Sequence, residues 1–347
     1  LAEARFMHSF KLILVLFFAG LLSGLSGCAV FKSGKKPVEL EIRYNDGNYI
    51  NYGKNFPVEI YVKYSNGKEK EVTGKDELTV TAAGAFYGNG YVQIDAYPKK
   101  ITSNQIKISA TYTKDEVTLK DEVTIPFNYK GDIEIAFTGR QGSNGSTGEN
   151  GVTPLLFRDG KEGGSGGPGG DGGSGDNLTL YVWKDSMEFY YIRVNNLTTS
   201  QTYIYKIKKS DYRFHMNVSG GQGGTGGKGG QGGDGKDGSN NNNKLKAPGN
   251  GGMGGTGGIG GTGGKGGNIY VFIHPNAAEI QHIFTCNNFG GSGGYGGEGG
   301  SGGRGGTPLE GQTAGSAGVN GSKGTSGYNG AAGDVFTILI ENFDIEY

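Results

Sequence analysis

The sequence predicts an all-β protein: a β-sandwich, then a β base carrying a bundle of six antiparallel glycine-rich helices. Three observations predict it. Short apolar/polar alternations recur between residues 37 and 130, broken by turn residues about every 8–12 positions. Glycine is concentrated late, since only 12 of the 72 glycines precede residue 139. No segment after residue 28 repeats its apolar residues with a helical period.

The N-terminus reads as a secretory signal. Met7-His8-Ser9-Phe10-Lys11 is a short polar start with a positive charge, Leu12 to Leu22 an apolar stretch, and Leu25-Ser26-Gly27-Cys28 small residues ending in cysteine. An uncleaved membrane anchor is the rival, but it needs about 20 apolar residues and this stretch is shorter and interrupted. Residues 1–6 lie upstream of Met7, which begins a complete signal unaided. The cysteine at the cleavage point resembles the lipobox of bacterial lipoproteins. That resemblance implies export, cleavage before Cys28, and acyl chains on Cys28 that hold the protein on a membrane. Ala29 after the cysteine resembles cargo sent to the outer membrane, so the expected location is the outer membrane or cell surface. Residues 1–28 are then upstream residues and signal, and residues 29–36 a polar tether.

The sandwich is expected over residues 37–130. Val38-Glu39-Leu40-Glu41-Ile42 and Val58 to Tyr64 alternate, and Ser65-Asn66-Gly67-Lys68 marks a hairpin turn. Further strands read at Leu78 to Thr81, Tyr91 to Ala96, Gln105 to Tyr112 and Glu122 to Tyr129. Tyr64-Ser65-Asn66-Gly67 leading to Glu71-Val72-Thr73, with Ile106 to Thr111 later, resembles the bacterial Ig-like domains of surface proteins. The Trp-Ser usual after Val-Thr is absent. The resemblance implies a spacer or adhesion module.

Residues 131–347 hold six runs of strict period three. Gly139 to Gly151 and Gly315 to Gly333 read Gly-x-x; Gly163 to Gly175, Gly220 to Gly238, Gly251 to Gly267 and Gly290 to Gly306 read Gly-Gly-x. Strand-like text enters runs one, three and five (Asp132 to Phe137, Tyr212 to Val218, Ile283 to Cys286) and leaves runs two, four and six (Asn177 to Val182, Asn268 to Ile273, Asp334 to Ile340). Each pair of runs is therefore expected to be a long hairpin with strands at its base. Three short inserts form the tips: Val152 to Glu162, Ser239 to Asn250 and Thr307 to Ala314.

A period of three matches the polyproline-II helix, with three residues per turn and about 3.1 Å rise, so a 17-residue run spans about 50 Å. Gly-Gly-x leaves two bare faces and Gly-x-x one, which places runs two to five inside and runs one and six at the edges. Such helices have no internal hydrogen bonds, so their amides must pair with neighbouring runs. The organisation resembles the polyglycine-II bundles of the snow-flea type antifreeze protein and of certain phage tail-fibre tip adhesins. The adhesins imply that the tips contact a ligand. Carried over here, the candidate tip residues are Leu155, Leu156, Phe157, Arg158, Lys244, Leu245, Lys246, Pro308 and Leu309. Flexible linkers and a collagen trimer are rivals. A linker does not need an exact period, and the chain has only nine prolines where collagen needs far more.

Little of the sequence suggests chemistry. Lys plus Arg equal Asp plus Glu at 33 each, so nothing points to nucleic acid. His282 and Cys286 lack a second pair for zinc. Gly223 to Lys228 imitates a phosphate loop, but Gly229 stands where Ser or Thr is needed. No nucleophile, base and orienter set is evident, and no enzyme, metal or cofactor is expected. With Cys28 lipidated, Cys286 has no intramolecular partner and reads as a buried thiol. Trp183, Tyr190, Tyr191, Tyr203 and Tyr205 form a candidate sugar-stacking surface, with strand packing as the competing account. The expectation is a monomeric adhesin or display module binding glycan or protein through its tips. A structural envelope spacer and an ice-binding protein are the alternatives, and the charged side chains of runs three and five argue against ice.

Overall fold

The computed structural model describes residues 35–45, 50–100, 103–153, 155, 158–185, 189–208, 212–241 and 244–341. It is an all-β fold of several sheets. In the first half, β1 (Pro37–Tyr44) pairs with β2 (Asn55–Tyr64), and β2 pairs with β3 (Glu69–Glu71). β2 also pairs with β6 (Tyr91–Gln93), which pairs with β5 (Phe86–Gly88). A second sheet holds β4 (Leu78–Ala83), β7 (Gln105–Lys114) and β8 (Val117–Pro126). Alternation sets which side chains are buried. Phe56, Val58, Ile60 and Val62 of β2 and Ile106, Ile108, Ala110 and Tyr112 of β7 lie in one shared core. The Ile42 amide donates to the Asp121 carboxylate at 2.8 Å, tying β1 to β8.

β8 begins five residues before its expected start. Asp115 and Glu116 form the β7–β8 turn with φ of 45° and 67°, the left-handed geometry that tight hairpins require. Asp115 alone is a weak turn residue, and the Asn-Gly or Asp-Gly pair that marks a tight hairpin in a sequence is absent.

In the second half, all six run-flanking segments are strands: β9 (Ile133–Ala136), β10 (Leu178–Lys184), β13 (Phe214–Asn217), β16 (Ile269–Ile273), β17 (Phe284–Asn287) and β18 (Val335–Leu339). Their pairing corrects the hairpin expectation. The entering strands make one parallel sheet in the order β17-β13-β9. The leaving strands β10, β16 and β18 pair in parallel in another. That second sheet is extended antiparallel by β11 (Phe189–Asn196) and β12 (Gln201–Lys208). Entering and leaving strands separate because the runs they serve lie in two layers.

The glycine amides define those layers. Within a layer, every third amide bonds in parallel. Gly142 N donates to Gln222 O and Gly223 N to Ser292 O, joining runs one, three and five. Gly166 N donates to Thr256 O and Gly254 N to Val319 O, joining runs two, four and six. Between layers, consecutive runs bond antiparallel: Gly170 N to Ser143 O, Gly224 N to Gly170 O, Gly261 N to Gly224 O, Gly294 N to Gly261 O and Gly327 N to Gly294 O, all at 2.7–2.9 Å. Runs one and six thus each bond to two others, while runs three and four each bond to four. This is the edge and interior order that Gly-x-x and Gly-Gly-x imply. At interior positions an added methyl would fall on a neighbouring carbonyl oxygen, as Gly227 on Ser146 O and Gly258 on Gly167 O. Close approach, not backbone freedom, is what requires glycine here.

One 3-10 helix, Pro275–Ile283, departs from the all-strand expectation. His274 caps it through its ring nitrogen to Asn276 N, and Pro275 presets its first turn. Ala277, Ile280 and Ile283 are buried, and their spacing of three matches three residues per turn.

The two halves meet at Tyr52, whose hydroxyl donates to Lys206 O at 3.2 Å and accepts from Lys206 N at 3.1 Å, and along Ala96–Pro98. Tyr205 Oη donates to Ala96 O at 2.7 Å, Ile204 N donates to Pro98 O at 2.7 Å, and Ala136 N donates to Tyr97 Oη at 3.2 Å. Ala96–Pro98 therefore bridges the outer edges of β12 and β9.

Candidate functional site

The three inserts gather at the end of the glycine layers remote from the strands, since each joins the far ends of two consecutive runs. Hydrogen bonds link them side by side. The Arg158 guanidinium of insert one donates to Asp237 O at the foot of insert two. Lys236 N donates to Arg158 O, and Thr153 Oγ1 to Asp234 O, both at 2.8 Å. Insert two is a small hairpin of β14 (Ser239–Asn241) and β15 (Lys244–Lys246). Gln312 of insert three donates to Lys246 O at 3.1 Å and accepts from Leu309 N at 3.2 Å. At the base of this end, Asp237 accepts from Thr307 N at 2.7 Å. That amide, the Thr307 hydroxyl and then the Arg158 charge hold its carboxyl below the usual range.

Among the described residues each insert presents a leucine to solvent: Leu155 is 87 % exposed, Leu245 62 % and Leu309 39 %. An exposed leucine alone means little, but one per insert at one end makes an apolar tip. Lys244 and Lys246 flank Leu245 and are exposed. Arg158 is structural rather than presented, because its guanidinium is spent on insert two. Pro308 lies beside Leu309 at the tip and is exposed. Leu156 and Phe157 fall outside the described residues, as does Cys28. A polar cleft of about 250 Å³ adjoins insert one, lined by Asn150, Thr153, Gln231 and Asp234 with Gly151, Gly232 and Gly233.

The proposed aromatic surface is corrected. Trp183, Tyr190, Tyr191, Tyr203 and Tyr205 are all buried, between 0 and 8 % exposed. Tyr205 packs edge-on between Tyr52 and Phe214 at 5.2 Å from each, and Trp183 stacks on Tyr191 at 5.5 Å. Burial drives the Tyr205 hydroxyl far above its ordinary pKa. Tyr190, Tyr203 and Tyr205 belong to the shared core, while Trp183 and Tyr191 stack on each other outside it; both placements bury the large apolar payload of an aromatic.

A second concavity went unnoticed in the sequence. It measures about 790 Å³ and is walled by Phe86, Ile94, Tyr97 and Pro98, with Lys99 and Lys100 on its rim. Phe86 is exposed there on the edge strand β5. The only sequence signal was a glycine on either side of it, at Gly84 and Gly88. Cys286 is half-buried on β17 and burial raises its thiol pKa. Among the described residues no cluster of His, Cys, Asp or Glu could hold a metal ion. Compared with known protein families, curated proteins and solved structures, the chain matches none.

Proposed function

We propose that the chain is an exported lipoprotein anchored through Cys28, in which an Ig-like sandwich carries a polyglycine-II bundle whose tips bind a glycan or protein. The observation that carries the reading is the convergence of three inserts, each with an exposed leucine, at one end of a hydrogen-bonded rod. A rod whose neighbouring runs are bonded through glycine amides along their whole length is stiff, so its end presents a fixed surface that needs little ordering when it binds. The polar cleft beside insert one supplies amide, hydroxyl and carboxylate groups of the kind that meet sugar hydroxyls. The Ig-like reading of residues 37–130 rests on two antiparallel sheets sharing one core. The polyglycine-II reading rests on the period-three amide pairing with neighbouring runs.

The test is binding of the chain to glycan and protein arrays and to whole cells, beside a Leu155→Ser, Leu245→Ser, Leu309→Ser variant. Loss of a hit with unchanged thermal stability is expected. Retention of every hit by the variant would sink the tip reading. Cys28→Ala should abolish incorporation of labelled fatty acid, which tests the anchor separately.

One observation favours ice binding as a second reading. The charges of runs three and five lie in the other layer from run four. The side-chain columns of runs two, four and six carry Ser165, Pro168, Thr256, Ile259, Thr262, Val319, Ser322 and Thr325, with Asp171, Lys265 and Lys323 the charges among them. Thermal hysteresis that vanishes in Thr256→Lys, Thr262→Lys would support it; no hysteresis in the unaltered chain would remove it.

A further inference from the structure

The two ends of the layered base are finished differently. At one end Ala96–Pro98 closes the edges of β12 and β9. At the other lie β17 and β18, and among the described residues nothing pairs with the outer edge of β18. Val335, Phe336, Ile338 and Leu339 are 44–55 % exposed there. β18 contains no charge and no proline, the usual guards of an edge strand, whereas the edge strand β8 carries Lys120, Asp121, Glu122 and Pro126. The glycine runs beside β18 are guarded. Asn329 and Asn320 of run six accept from Gly293 N and Gly302 N at 2.9 Å, and Lys323 pairs with Glu298 at 2.6 Å. The bundle edge is stopped, and the strand that continues it is left open.

We propose that β18 is the docking edge for a second copy of this chain. The backbone register selects that occupant. Ile269 N donates to Asp334 O at 2.9 Å and Ile340 N to Ile273 O at 3.1 Å. Strand alternation then turns the amides and carbonyls of Val335, Thr337 and Leu339 outward. Antiparallel pairing about a two-fold axis at Thr337 sets Thr337 opposite itself and Val335 opposite Leu339, so every outward group meets its complement. Phe336 falls opposite Ile338, apolar against apolar. Val335, Thr337 and Leu339 share a sheet face with Ile269, Val271 and Ile273, which are buried. Pairing would therefore join two open core ends into one interior. β18 runs away from its bundle, so the antiparallel copy sends its own bundle the opposite way and the two do not collide. The protein is then a dimer with two tips, in place of the monomer expected from sequence.

The test uses residues 29–347, which contain the whole described fold. Sedimentation velocity should show the mass doubling as concentration rises. Val335→Lys, Leu339→Lys should remain monomeric with an unchanged circular dichroism spectrum. In a Cys286→Ser background, oxidised Thr337→Cys should form a covalent dimer. A hydrogen-bonded antiparallel pair sets its Cα atoms about 5.5 Å apart, within the disulfide range of about 4.4–6.8 Å. Val335→Cys, facing Leu339, should not cross-link. A monomer at every concentration, a dimer indifferent to the lysines, or equal cross-linking at Val335 and Thr337 would each overturn the proposal.

Discussion

Two adjacent glycines in run two should respond unequally to alanine. At Gly172 the new methyl would fall on the carbonyl oxygen of Gly221, which already accepts from Gly264 N at 2.8 Å. Run three, which holds Gly221, is bonded to four other runs and cannot retreat without breaking further bonds. Overpacking costs about 1–3 kcal/mol, and displacing a buried hydrogen bond adds about 1–3 kcal/mol. The less flexible unfolded chain returns about 0.4–1 kcal/mol, leaving a net loss of about 1–5.6 kcal/mol. At Gly173 the nearest atoms are Arg140 N at 3.0 Å and Arg140 O at 3.5 Å. They belong to run one, which bonds only to runs two and three and can shift by a few tenths of an ångström. Gly173→Ala should therefore cost less than about 1 kcal/mol after the same unfolded-state offset. Thermal unfolding followed by circular dichroism reads the difference. At about 2–4 °C per kcal/mol for a unit of this size, Gly172→Ala should lower Tm by about 2–22 °C and Gly173→Ala by less than about 4 °C. Equal shifts in the two variants would refute the idea that carbonyl approach, layer by layer, dictates glycine.

Three further outcomes are expected. The Tyr190 hydroxyl at 2.7 Å and Lys184 at 2.9 Å hold the Glu279 carboxyl down at about 2; a depressed carboxyl contributes stability that is fully present above its unfolded value near 4.5 and is lost as pH falls toward 2. Urea midpoints measured across that window should fall more steeply in the parent chain than in Glu279→Gln, and parallel slopes would remove the linkage. Tyr205→Phe deletes a buried bond to Ala96 O and should cost about 1–2 kcal/mol in urea unfolding; a neutral result would mean that this seam does not couple the halves. Burial raises the Cys286 thiol, so an aromatic disulfide reagent at pH 8 should modify it slowly in the folded chain and at once in denaturant.

Much of this fold was legible because glycine periodicity and strand alternation each act locally. Period three fixed six runs, and counting bare faces placed runs one and six at the edges. What stayed hidden depended on partners distant in sequence. Nothing in Ile133–Ala136 states that it pairs with Phe214–Asn217 rather than with Leu178–Lys184, because both are short apolar alternations. The 3-10 helix was overlooked because Ala277, Ile280 and Ile283 make too short a pattern to stand out as a period. The aromatic residues from Trp183 to Tyr205 fit either a surface or a packed sheet, and the strand order decides for packing: β11 lies between β10 and β12, and its Tyr190 and Tyr191 are buried.

The layer assignment changes the meaning of the charges most. Read along the chain, Lys228, Asp234, Glu298 and Arg304 interrupt any uncharged array. In space they share one layer with run one, and Asp234 accepts from Arg304 N at 2.7 Å. Polar columns there satisfy backbone that glycine leaves unpaired: Asn144 and Asn150 of run one accept from Thr225 N and Gln231 N at 3.0 and 2.9 Å. At the opposite edge, Asn320 and Asn329 of run six do the same for run five. The second x of Gly-x-x therefore does more than mark a run with fewer neighbours. It supplies the side-chain acceptors that end the lattice, since a seventh run would have to displace Asn320 and Asn329 from amides they already hold. β18, continuing run six, has no such residue, so the end of the bundle is closed by chemistry while the strand that extends it keeps a bonding edge.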